Sequence, residues 1–134
     1  MEKVVLRKDY SDTSRQAYSE EELMQIMSEA RDKLPRIVSR HARSMGIDYE
    51  KVLVKSQRTR WGSCSDRGNI SLNCLLVQVP SFVRKYVIIH ELAHRIEMNH
   101  STAFWHLVSS EMPDYRRAIE WLDTNGEEMI DRLG

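Results

Sequence analysis

With only two cysteines, Cys64 and Cys74, in its 134 residues, the chain cannot build a disulfide framework. Its opening residues show no apolar signal-peptide core behind a basic start, so a reducing, cytoplasmic setting is expected. Long apolar runs are also missing. A membrane-spanning helix needs roughly 18 such residues, and the longest candidate, around Tyr86 to Ile89, is far shorter. Net charge is absent too: 20 Lys and Arg balance 20 Asp and Glu, which leaves no overall field to attract nucleic acid or an anionic membrane. There is no internal repeat and no low-complexity stretch, so the chain reads as consecutive elements of one unit.

What is present fits a single domain over residues 1–134, with 41% hydrophobic and 30% charged residues, enough apolar material for a core without crosslinks. Charge is uneven along the chain. Basic residues outnumber acidic ones between residues 31 and 60, and the balance reverses from 111 to 134; solvated helix faces explain this most simply. Cys64 and Cys74 lack a close C-x-x-C pairing, so they read as half-buried thiols in or beside strands, not as zinc ligands.

Periodicity places the elements. Residues 4–6 are strand-like and precede a polar stretch from Lys8 to Arg15. Ser19 and Glu22 form a capping-box pattern ahead of Leu23, Ile26, Met27 and Ala30, which recur at helical spacing. Pro35 either kinks this helix or starts a second one, and Gly46 stops it. Val52 to Val54 open a β-rich stretch in which residues 65–69 supply a hairpin turn before Ile70 to Asn73. Pro80 introduces a helix expected to run to about Met98, with Asn99 ending it in a left-handed conformation. Ser101 can cap the next helix, which stops near Pro113; a last helix carries Tyr115, Ala118, Ile119, Trp121 and Leu122 and is interrupted by Gly126. The expected class is α+β, helices packed on a small, mainly antiparallel sheet.

The chemistry is concentrated in His90-Glu91-Leu92-Ala93-His94, an H-E-x-x-H motif. Residues four apart lie one helical turn above each other, so both imidazoles aim at one point and can share a metal ion. Glu91 lies over the same face yet remains free to reach a water at the metal, the position of a general base. A catalytic zinc usually takes three protein ligands, and His100 stands just beyond the predicted helix end, where a turn at Asn99 would bring it back. That spacing equals the metzincin spacing, with Glu97 where metzincins carry glycine. Glu97 and His106 are the competing third ligands; His41 reads as a helix-surface or core histidine.

Four blocks in order carry a family resemblance: Arg60-Trp61-Gly62-Ser63-Cys64-Ser65; Gly68-x-Ile70-x-Leu72-Asn73; Tyr86-Val87-x-x-His90-Glu91-Leu92-x-His94; and Asn99-His100-Ser101-x-x-Phe104-Trp105. This stretch, about residues 50–122, resembles the YgjP-like predicted metal-dependent hydrolases, relatives of the WLM and SprT-like zincins. The resemblance implies a minimal zincin fold with the motif on a central helix. It also implies one zinc ion per chain held by His90, His94 and His100, and Glu91 as the catalytic carboxylate.

Outside the motif, Trp61 and Gly62 read as packing plus a tight backbone position, and Phe104 and Trp105 as anchors against the motif helix. Arg58 and Arg60, two apart on a strand, would share a sheet face and could grip a carboxylate or phosphate of a substrate. Arg60, Tyr86 and Tyr115 are candidates for stabilising an oxyanion. The leading function is a zinc-dependent peptidase, with an extended peptide along a sheet edge such as residues 70–73. The alternatives are a metal-dependent hydrolase of nucleotide phosphoanhydrides held by Arg58, Arg60 and Arg67, and a zinc-stabilised nucleic-acid-binding module, which the neutral charge disfavours.

Overall fold

The computed structural model describes residues 17–134. The strand expected at residues 4–6 and the polar stretch from Lys8 to Arg15 lie outside them. Helix α1, Glu20–Met45, starts as its sequence dictates: the Ser19 hydroxyl accepts from the Glu22 N–H at 3.0 Å, and the Glu22 carboxylate accepts from the Ser19 N–H at 2.8 Å. It ends at Gly46, whose φ of 68° is left-handed. Pro35 does not split it. A proline inside a helix costs about 3 kcal/mol, whereas fully burying one Leu or Val contributes about 1.5–3 kcal/mol. Leu34 and Val38, both without solvent exposure, flank the proline and outweigh the missing bond.

Three strands follow: β1, Lys51–Lys55; β2, Gly62–Cys64; and β3, Asn69–Asn73. Their order is β1-β3-β2. The hairpin reading holds for β2 and β3, which pair antiparallel with Gly62 opposite Leu72. The expectation of a mainly antiparallel sheet needs correction, because β1 pairs parallel with β3, from Lys51 opposite Asn69 to Lys55 opposite Asn73. The sheet is therefore mixed. Residues 56–61 carry the chain across the end of β3, and one buried amide secures that crossing. Asn73 Nδ2 donates to the carbonyls of Gln57 (2.7 Å) and Arg60 (3.1 Å), and its Oδ1 accepts from the Leu75 N–H (3.0 Å). The Asn73 N–H donates to the Trp61 carbonyl at 2.9 Å.

A 3-10 turn, Cys74–Val77, leads to α2, Ser81–Ala93, then α3, Thr102–Glu111, and α4, Tyr115–Asp131. Helix α2 is apolar nearly all round, with Val83, Ile88, Ile89 and Leu92 fully buried, as a helix lodged between a sheet and other helices must be. The core joins them to Leu34 and Val38 of α1, Ile70 and Leu72 of β3, Leu75 and Leu76 of the 3-10 turn, and Phe104 and Val108 of α3. Helices on a small sheet give the α+β class expected. Among the described residues, no helix is long and apolar enough to cross a membrane.

Three further expectations fail. Helix α2 ends at Ala93 instead of near Met98, and Asn99 is not left-handed, since no described residue other than glycine has positive φ. The chain leaves α2 through tightened turns instead, the Arg95 N–H bonding the Leu92 carbonyl and the Ile96 N–H that of Ala93. Helix α4 also runs straight through Gly126. A Cβ there would lie 3.0 Å from Trp61 Nε1, so this glycine serves the close approach of an indole and not a helix break.

Candidate metal centre

His90 occupies the last turn of α2 and His94 its C-cap, one turn apart as the motif requires. The tightened turn after His94 then returns the chain so that His100 stands immediately before Ser101, the N-cap of α3, whose hydroxyl accepts from the Phe104 N–H at 3.2 Å. His100 is thus carried by a capped helix start instead of a free loop. One donor atom from each of the three histidines lies within 4.8 Å of the others, and His94 Nε2 is 3.1 Å from His100 Nε2. Neither Glu97 nor His106 belongs to this group.

The donor set fits a tetrahedral cation. Imidazole nitrogens bound about 2.0–2.1 Å from zinc stand roughly 3.3 Å from one another. His94 Nδ1 donates to the Glu97 carbonyl at 3.1 Å, which places the proton on Nδ1 and turns the Nε2 lone pair toward His100. Glu97 contributes through this backbone oxygen, not through its carboxylate. Burial, followed by repulsion from His90 and His94, lowers the pKa of His100, so it stays neutral further into acid than an ordinary imidazole. Neutral imidazole is the form that binds a metal.

Glu91 is buried, 6% exposed, unusual for a carboxylate. Its Oε2 accepts from His90 Nδ1 at 3.2 Å, which leaves the other nitrogen of His90 for a cation. Space for Glu91 comes from β2: a Cβ on Gly62 would lie 3.1 Å from Glu91 Cγ and 3.2 Å from both Val87 Cγ1 and the Ser71 carbonyl. Arg95 braces the same turn from outside, donating to the carbonyls of Asp48 (3.0 Å) and Asp66 (3.4 Å).

Phe104 and Trp105 anchor against the motif helix as expected, and the structure adds that they pack on the histidine rings themselves. Phe104, fully buried, lies 4.6–5.0 Å, centroid to centroid, from the rings of His90, His94 and His100. Trp105 stacks on His100 at 5.9 Å, and Tyr86 meets His90 edge-on at 5.6 Å. The helical period marks these residues as core, but cannot say that they pack on ligand-type side chains. The Tyr86 phenol is pushed well above its ordinary pKa by burial, then by Glu91, Tyr115 and Asp123, and stays neutral.

A cleft of ≈ 330 Å³ opens over the histidines, walled on one side by Arg60 and residues 62–65 and on the other by His90, Glu91, His94, Met98 and His100. Cys64 lines it, with a thiol that burial and then Glu91 push toward the protonated form. Arg58 and Arg60 do not share a strand face, because residues 56–61 are the crossing segment; only Arg60 lines the cleft, and Arg58 and Arg67 do not. Residues 70–73 offer no free edge either. β3 is the central strand, and the edge beside the cleft is β2.

The comparisons agree with this geometry. A YgjP-like metallopeptidase domain model matches residues 3–125. The crystal structure of the metallopeptidase zymogen of Pyrococcus abyssi abylysin is similar in fold, with a TM-score of 0.61 at 20% sequence identity, over 68% of this chain and 93% of that one. No curated protein sequence matches the chain. Matched over nearly its whole length, and with three histidines and a buried glutamate gathered at one cleft, the chain belongs to the YgjP-like family of metal-dependent hydrolases, as a metallopeptidase domain.

Proposed function

We propose that the protein is a zinc-dependent peptidase. The supporting observation is the convergence of His90, His94 and His100 beside the buried Glu91 at the floor of an open cleft. The three histidines would hold one zinc ion; all-nitrogen donor sets of this kind suit zinc, and a ligand position is left for water or substrate. When bound, zinc supplies a Lewis acid that acidifies water and polarises a carbonyl.

The chain's own residues do the rest. Glu91 takes the proton of the attacking water on its carboxylate and delivers it to the leaving amine, a role that requires a base held near the site and shielded from bulk water. Among the described residues β2 is an edge strand, and its outer side would offer backbone groups to an extended peptide, which would add as a further strand. Arg60 is the only cleft-lining arginine among the described residues and the candidate partner for charge developing on the scissile carbonyl. Tyr86 is buried and absent from the cleft wall, so it is not a candidate for that contact.

The test joins elemental analysis to turnover. About one zinc per chain is expected, lost in His94→Ala and His100→Ala. Glu91→Gln should keep the zinc while peptide hydrolysis falls by roughly 10²–10⁴-fold, the usual contribution of a general base. Unchanged hydrolysis in Glu91→Gln would remove the mechanism. Hydrolysis of nucleoside triphosphates but of no peptide would replace the substrate class.

A further inference from the structure

A second cavity, ≈ 710 Å³ and about twice the volume of the cleft, adjoins it across His100. Its walls include Trp105, His106, Tyr115, Arg116 and Ile119, with His100 at the near end. The peptidase mechanism makes no use of any of the far residues. We infer that this cavity selects the substrate, taking an aromatic side chain close to the scissile bond against Trp105 and a carboxylate one or two residues further along against Arg116. This inference rests on the peptidase reading of the neighbouring site.

Position comes first. His100 borders both cavities, so an extended chain lying across the histidine cluster can pass directly from the first into the second. The lining then decides what fits. Trp105 and Tyr115 are stacked, 5.3 Å between centroids with 19° between planes, and Trp105 in turn stacks on His100. Tyr115 is buried while Trp105 is only half-buried, so the part of the indole not covered by its ring neighbours offers apolar surface to the cavity.

Arg116 supplies the second requirement. Its guanidinium lies over the Tyr115 ring, 5.4 Å from the centroid, and among the described residues no carboxylate pairs with it. An exposed guanidinium without a carboxylate partner keeps its N–H donors for a ligand, and a carboxylate can accept two parallel hydrogen bonds from it. His106, exposed on the same wall, adds donor capacity. The carboxylate can belong to an acidic side chain or to the end of the peptide.

The zinc-loaded protein is given a complex peptide mixture, and new termini are read by mass spectrometry. Aromatic residues are expected to be enriched beside the cleaved bonds, with a carboxylate one or two residues beyond them. Trp105→Ala should reduce the aromatic preference by about tenfold, the scale of one aromatic stacking contact, and Trp105→Phe should restore much of it. Arg116→Ala, at an exposed position that carries no core packing, should erase the carboxylate preference and leave the aromatic one. Amidated peptides separate the two sources: loss of cleavage assigns the chain terminus, and retained cleavage assigns Asp or Glu.

Cleavage without either preference, or preferences that survive Trp105→Ala and Arg116→Ala, overturns the inference. Calorimetry on the zinc-loaded Glu91→Gln protein separates its failure from that of the peptidase reading. Binding of a Phe- and Glu-containing peptide over its all-Ala counterpart, lost in Arg116→Ala but accompanied by no hydrolysis in the parent, retains the subsite and discards the peptidase. Absence of both binding and hydrolysis discards both.

Discussion

Gly62 and Glu91 approach closely across the boundary between β2 and α2: a methyl group on the glycine would lie 3.1 Å from Glu91 Cγ, so one of the two would have to shift. The sheet edge beside the cleft and the buried carboxylate are thereby fixed relative to each other.

Gly62→Ala should therefore act on catalysis more than on metal binding. The added methyl meets Glu91 Cγ, Val87 Cγ1 and the Ser71 carbonyl, and overpacking of this kind costs about 1–3 kcal/mol. Zinc content should stay at the parental level, because none of the three histidines is touched, while the rate of peptide hydrolysis falls by tenfold or more. A variant with parental kinetics would show that Glu91 has freedom to relax away from the strand.

Asn73→Ala removes three side-chain hydrogen bonds, leaving the buried Leu75 N–H and the carbonyls of Gln57 and Arg60 without that partner. Each uncompensated buried polar group costs about 1–3 kcal/mol. Urea unfolding should shift to lower denaturant, and Arg60 should lose its fixed place at the cleft, seen as a higher KM. Equal stability in the two proteins would mean that water takes over the amide's role.

Gly126→Ala sets two terms against each other. Alanine in a helix interior gains about 1 kcal/mol over glycine, but its Cβ would lie 3.0 Å from Trp61 Nε1, and a clash in a packed site costs about 1–3 kcal/mol. Net destabilisation is expected, with a change in tryptophan emission. Stabilisation by the full helix-propensity gain would show that the indole can step aside.

His41 gives the metal-free protein an acid-side slope in stability. Burial, then Lys85 and Arg40, lower its pKa below the ordinary 6.5, so the unfolded chain binds the proton more readily than the folded one. The stability due to neutral His41 is complete above about pH 6.5 and is lost as pH falls from there through the depressed folded value. His41→Gln should flatten that part of the curve in chemical denaturation at stepped pH; an unaltered slope would assign the effect elsewhere, for instance to His100, whose pKa is also lowered.

Features written in neighbouring residues were legible in the sequence. The capping box of Ser19 and Glu22, the caps at Gly46 and Ser101, and the facing of His90 and His94 all depend on local spacing, and all occur as expected. Long-range pairings were not. Nothing in the order of residues 51–73 says that β1 passes over β3 to pair with it parallel, so the free edge was assigned to the wrong strand. Gly126 has the composition of a helix breaker, and only Trp61, far away in sequence, reveals why it stays within α4. The return of His100 was expected from a left-handed Asn99 and is achieved by right-handed turns after His94.

The three histidines all fall within residues 90–100, whereas Arg60 and Gly62 of the cleft wall come from a distant part of the chain. On the proposed reading, a segment containing α2's last turn and the start of α3 carries every nitrogen donor, while the opposite wall is supplied from residues 60–65. Only turnover, which also needs the wall, reports that the two halves have met.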